Sequence, residues 1–204
     1  MEIEIVEPSI SLISHTFCAE QHIEQCGREA YGSAVSVNLG DTQEWIQKRI
    51  KGGEEDVVEH AVATWHIVCS RVVSHELVRH RLASYTQMSQ RFTEKATSRF
   101  IIPEEITGED REAFYSTLAD IHQWYEELRT KYPRQIARYI LPNATATSLY
   151  CTWNFRVMRH IIKMRADSSA QPEFRRLAEQ MKTICLDYWP GVFRDLEPTT
   201  DEED

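Results

Sequence analysis

Glycine is scarce, at seven in 204 residues. Neither GxGxxG nor GxxxxGK[ST] occurs, which argues against a Rossmann or P-loop nucleotide site. Cysteine is limited to Cys18, Cys26, Cys69, Cys151 and Cys185. The number is odd and no pair forms CxxC, so these read as reduced, mostly buried thiols, with no zinc framework and no metal site expected. No apolar run approaches the roughly 20 residues that a bilayer requires, so no membrane partner is expected. The opening MEIEIVEP has neither a basic n-region nor an apolar h-region, and the expected location is cytoplasmic. Lysine is also short, at six against 17 arginines. Arginine is the residue for bidentate capture of phosphate and carboxylate, and the skew hints at an anionic small ligand.

What remains is the composition of a globular protein: 42% hydrophobic and 27% charged, in a chain long enough to bury a core unaided. The net charge of −9 is uneven. Asp195, Glu197, Asp201, Glu202, Glu203 and Asp204 carry six of the negative charges, and residues 1–194 carry only −3. A body so nearly balanced lacks the basic footprint of a nucleic-acid binder. One domain is expected over residues 1–190, followed by a disordered acidic tail over 191–204.

The pattern along the chain is mixed α and β. Alternating Glu and Ile over 2–6 predict a half-buried strand, and residues 17–31 a helix. Asp41 with Glu44 resembles a capping box for a short helix closed by Gly52-Gly53. The β-branched and aromatic run 57–69 predicts a strand, after which Ser70 caps a helix to about Arg79. Residues 82–100 read as a loop or irregular strand. Residues 109–131 form an amphipathic helix, and Pro133 starts another to about Leu141. Residues 144–153 read as a strand, Asn154 caps a helix to about Arg165, and 170–188 give the last helix. Pro190-Gly191 ends the ordered chain.

The densest polar stretch is HELVRHRLASYTQMSQR, residues 75–91. It opens like the zinc motif HExxH, but the next histidine, His80, lies about 140° around a helix from His75, so the two cannot share a metal. Ser84 and Ser89 stand near His80, yet neither GxSxG nor SxxK is present to make a nucleophile. A solvated helix end, with cations set against its dipole, explains one or two arginines. It does not explain Arg79, Arg81 and Arg91 interleaved with Ser and Gln, which suit a phosphate and a planar polar ring. A second group is Asn154, Arg156, His160 and Arg165. Eleven residues separate Asn154 from Arg165, so both lie within about 20° of one helix face; taken alone, an ordinary polar face opposite Val157, Met158, Ile161 and Ile162 is the preferred explanation.

Together these residues resemble the flavin-dependent thymidylate synthases. Arg79-His80-Arg81, seven residues and Ser89 reproduce the family signature RHRx₇S, with Ser84 and Arg91 at its flanking positions. NFRVMRHIIKMRADSSAQ (154–171), Glu59-His60 and ARYILP (137–142) resemble three further family segments in the same order. The resemblance covers roughly residues 1–190. It implies an α+β fold, with a central, mostly antiparallel sheet flanked by helices and a small helical portion. It implies a methyltransferase that converts dUMP to dTMP, with methylenetetrahydrofolate as carbon donor, FAD as hydride relay and NADPH as reductant. It also implies a homotetramer with shared sites.

By the same resemblance, Glu76, Arg79, Gln87, Ser89, Arg91, Arg138 and Arg165 are dUMP positions, and Arg165 also activates the uracil. Arg79, His80, Arg81, Gln87, Asn154, Arg156 and His160 are FAD positions, joined by Asp56 and Glu59. Ser89 is assigned to binding, because a flavin hydride route needs no enzyme nucleophile. Two departures stand out. Glu54-Glu55-Asp56 replaces the family's His-x-Ser or His-x-Thr, and carboxylates beside a diphosphate are unfavourable unless they point away. Phe92 replaces the usual Tyr, keeping the ring and losing the hydroxyl. A degenerate relative that binds dUMP or FAD without turnover, and an Arg-rich nucleic-acid module, are the alternatives.

Overall fold

Side-chain alternation and helix caps account for most of the elements in the computed structural model, which describes residues 3–197. The strands are β1 (Glu4–Ile5), β2 (Ser9–His15), β3 (Val62–Ser70), β4 (Ala83–Gln87), β5 (Arg99–Phe100) and β6 (Ala146–Asn154). The helices are α1 (Ala19–Glu29), α2 (Leu39–Lys51), α3 (Arg71–Leu77), α4 (Gly108–Arg129), α5 (Arg134–Ala137), α6 (Phe155–Arg165), α7 (Pro172–Tyr188) and α8 (Pro190–Phe193). Short 3-10 turns cover Glu55–His60, Glu94–Ala96, Arg138–Ile140 and Arg194–Leu196. Four strands form an antiparallel sheet in the order β2-β3-β6-β4, and helix makes up 53% of the structure. Period-2 burial is clear on the long strands. Ala63, Trp65, Ile67 and Cys69 on β3, and Leu149, Cys151 and Trp153 on β6, are all at most 2% exposed.

Packing divides the chain into two compact units. The first comprises the N-terminal stretch to Ser9, His66–Arg79 and Tyr85–Tyr150. Here β1 pairs in parallel with β5, Glu4 opposite Arg99 and Ile5 opposite Phe100. Ile3, Phe100, Ile102 and Leu118 of α4 make an apolar cluster. The second unit comprises Ile10–Trp65, His80–Ser84 and the stretch from Cys151 onward. In it α1 packs on α2, α2 on α8, and α6 on α7. Gly27 permits the first of these approaches: a Cβ there would lie 2.4 Å from Cη2 of Trp45. Phe155 packs against Trp189 with ring centroids 4.5 Å apart, and against Phe193.

Several local expectations are revised. The first strand is only two residues long, and the longer N-terminal strand is β2. Helix α2 starts at Leu39, and its cap is Asn38, whose Oδ1 accepts from the N–H of Asp41 at 2.9 Å. Residues 57–60 belong to a 3-10 turn because Val57 and Val58 are buried together and Glu59 and His60 exposed together, which a strand cannot do. The helix after Pro133 is one α turn followed by one 3-10 turn.

The expected disordered tail over 191–204 is corrected for its first part. Gly191, Val192 and Phe193 are buried in α8, and Asp195 is fastened to buried Arg159. Residues 198–204 lie outside the described residues.

Candidate functional site

In the second unit the site is built on the junction of β6 and α6. Asn154 ends the strand and caps the helix, its Oδ1 accepting from the N–H of Val157 at 2.9 Å. Val157, Met158, Ile161 and Ile162 are buried, so Arg156 and His160, four residues apart, share the exposed side. Arg156 Nη1 donates to Glu59 Oε1 at 2.6 Å. That bond raises the guanidinium pKa. A cavity of about 430 Å³ opens here, lined by Glu55, Glu59, Leu82, Asn154, Arg156 and His160 among others.

The acidic stretch beside this cavity is largely neutralised by the protein itself. Glu54 accepts from the Tyr31 hydroxyl at 2.5 Å and from Arg49 at 3.3 Å, and these partners hold its carboxyl below the ordinary value. Glu55 accepts from Arg159 at 3.2 Å and Lys163 at 3.3 Å. Burial works to raise its pKa, but the two cations outweigh it and the net shift is downward. Asp56 is exposed and does not line the cavity, whereas Glu55, which the resemblance did not assign, does.

Beside His160 stand His80, Phe174 and Arg165. The His80 ring meets His160 edge-on at 5.8 Å and Phe174 at 6.3 Å. The Arg165 guanidinium carbon lies 5.0 Å from the Phe174 ring centroid, within cation–π range. Burial first, and then the charges of Arg165 and His160, push the His80 pKa down to about 4. His80 is therefore neutral at neutral pH, able to donate from one ring nitrogen and accept at the other. Arg81 is exposed on the segment just before β4.

In the first unit, β4 runs into the signature turn. Gln87 Nε2 donates to Thr147 Oγ1 at 3.3 Å, and the N–H of Met88 to Ser148 O at 2.8 Å. The carbonyl of Ser89 accepts from the N–H groups of Phe92 and Thr93, and its Oγ from the N–H of Arg91 at 3.2 Å. The Arg91 guanidinium lies 5.3 Å from the Phe92 ring centroid. Arg79 follows α3, its N–H bonded to Glu76 O, and Arg138 opens a 3-10 turn.

Arg71, the first residue of α3, is not among the expected positions. It is half-buried, with Nη2 donating to Met88 O at 3.3 Å. Burial and the nearby Arg138 charge lower its pKa. A signal was available: a cation in the first turn of a capped helix opposes the helix dipole.

The expected positions thus divide by unit. Glu76, Arg79, Gln87, Ser89, Arg91 and Arg138 belong to the first; Asp56, Glu59, His80, Arg81, Asn154, Arg156, His160 and Arg165 to the second. Both groups have the chemistry of nucleotide binding, with cations for phosphate and amide and imidazole groups for ring edges. The cavity fits a flavin nucleotide by its donor set. Arg156 is half exposed, the Asn154 amide N–H groups are not used by the cap, and the Glu55 and Glu59 carboxylates can accept from sugar hydroxyls.

The thymidylate synthase complementing protein family model matches residues 11–191. The flavin-dependent thymidylate synthase of Mycobacteroides abscessus is 36% identical, over 87% of this chain and 80% of that protein. The enzyme of the same name from Mycobacterium avium is 35% identical over the same shares. A crystal structure of the UMP/dUMP methylase PolB from Streptomyces cacaoi, bound with 5-Br dUMP, superposes with a TM-score of 0.83 at 20% identity, covering 94% of this chain and 96% of that one. The chain belongs to the thymidylate synthase complementing protein family.

Proposed function

We propose that this protein is a flavin-dependent thymidylate synthase that methylates dUMP reductively to dTMP. Methylenetetrahydrofolate donates the carbon and NADPH is the reductant. Membership of the family over residues 11–191 carries the reading. FAD, when bound, supplies the hydride transfer, and the protein supplies binding and electrostatics. Arg156, His160 and the Asn154 amide would hold the flavin nucleotide, with His80 and Arg81 beside them and Glu59 accepting from hydroxyls. Arg79, Gln87, Ser89, Arg91 and Arg138 would bind dUMP, with Glu76 near the uracil. Arg165 would stabilise negative charge that develops on the uracil ring.

No enzyme nucleophile is needed. Cys69, Cys151 and Cys185 are buried, and burial pushes the Cys151 thiol up to about 12. With Glu54 and Glu55 paired internally, the acidic stretch weighs less against a bound diphosphate. No helix among the described residues is long and apolar enough to cross a membrane. The reading includes a cytoplasmic location and a homotetramer with shared sites.

The test is dTMP formation from dUMP, methylenetetrahydrofolate and NADPH, with and without added FAD. Product that depends on FAD is expected. No product under either condition, with FAD bound, would leave a binding protein rather than a synthase.

A further inference from the structure

In a chain of net charge −9, an arginine without a carboxylate partner calls for an explanation. At least nine arginines form ion pairs among the described residues. Arg79, Arg81, Arg91 and Arg138, all positions expected to bind ligand, form none there. Arg71 shares that property, and it is the half-buried one whose pairing would matter most.

The Arg71 backbone N–H is fixed to Thr145 O at 3.1 Å, and its Nη2 to Met88 O at 3.3 Å, one residue before Ser89. Its Nε is buried with no hydrogen-bond partner among the described residues. The neighbouring charge is Arg138, another cation. A half-buried guanidinium that keeps one donor unused beside a second guanidinium is costly unless an anion joins them. A single carboxylate would leave one of the two cations uncompensated. A phosphate dianion compensates both and offers three acceptor oxygens.

We propose that Arg71 is a substrate-binding residue, which with Arg138 takes the 5′-phosphate of the nucleoside monophosphate. This rests on the reading of Arg79, Gln87, Ser89, Arg91 and Arg138 as dUMP-binding residues. Arg71 thereby selects the monophosphate over the free nucleoside, and it does not touch the flavin.

The test is calorimetric titration of the FAD-loaded protein with dUMP and with deoxyuridine. Arg71→Gln should raise the dUMP Kd roughly 10- to 100-fold, the range for a lost charge-assisted bond. Deoxyuridine affinity and flavin stoichiometry should stay at wild-type values. Arg71→Lys keeps the charge without the fork and should fall between; it carries the test if the glutamine variant does not fold. Wild-type dUMP affinity in a folded variant would overturn the proposal. So would equal weakening of both ligands, which marks a structural role. A wild-type protein that binds no dUMP would instead overturn the functional reading on which the proposal rests.

Discussion

Arg165 stands at the last position of α6 with its charge over the face of Phe174, a ring only 2% exposed. The ring limits where the guanidinium can go, so the cation is oriented before any ligand arrives. If it acts on charge developing in the uracil, Arg165→Ala should lower kcat by about 100-fold, as loss of one such donor does. Flavin content, read from absorbance, should change little. Unchanged turnover would show that the role belongs elsewhere. His80 makes a separate prediction. Its folded pKa, about 4, lies below the ordinary 6.5, so the unfolded chain binds more protons between those values. Stability is therefore full above pH 6.5 and falls as pH drops towards 4. Buried His122, also shifted down, contributes with the same sign. Thermal unfolding of wild type and His80→Asn should diverge through that window, with the variant falling less steeply; parallel curves would mean that His80 is not the titrating group. The signature residues were legible because their order is fixed in the chain. That His80 meets His160, and Arg165 meets Phe174, was not, since those meetings depend on how α6 packs against α7 and against the residues around His80.

The element that matters most is α6, and its sequence announces it. A capping residue, then buried residues at 157, 158, 161 and 162, give both its start and its inner face. Asn154→Ala removes the bond to the Val157 N–H and should cost about 1 kcal/mol. For a chain of this size that lowers Tm by roughly 2–4 °C. Flavin retention should weaken as well, because Arg156 and His160 lie in the first two turns and their direction depends on the cap. Loss of stability with full flavin affinity would show that the cap does not orient the cavity. Other elements hid their type. The run from Val57 to Cys69 is rich in β-branched and aromatic residues from end to end, so composition merges a 3-10 turn with β3. Only burial of consecutive residues separates them. The alternation Ser9-Ile10-Ser11-Leu12 carried the strand period of β2, but over too few apolar positions to stand out.

At the scale of the whole molecule, acidic composition near the C-terminus misled the reading of order. Charge counting groups Asp195 with the residues after it, whereas its partner, Arg159, stands 36 positions earlier and gives no local signal. Arg159 has no exposed side-chain surface. Its Nη1 and Nη2 donate to the two Asp195 oxygens at 2.7 Å each, and it also bonds Glu55 and Val192 O. Burial alone would raise the Asp195 pKa; the Arg159 bonds and charge outweigh it, and the carboxyl sits below its ordinary value. This contribution is present above about pH 4 and is lost as acid protonates the folded form. Asp195→Asn should leave a buried guanidinium short of countercharge and cost about 3 kcal/mol, the lower end for a broken buried pair because Asp195 is 23% exposed and Glu55 remains. The corresponding fall in Tm is roughly 6–12 °C. If that penalty comes from the stranded charge rather than from a lost favourable bond, removing the cation too should relieve it. Arg159→Met with Asp195→Asn should then unfold at a higher temperature than Asp195→Asn alone, since an apolar chain of similar length fills the site without needing a partner. A double variant no more stable than the single one would assign the penalty instead to lost hydrogen bonds that fasten α8 and the turn after it to α6.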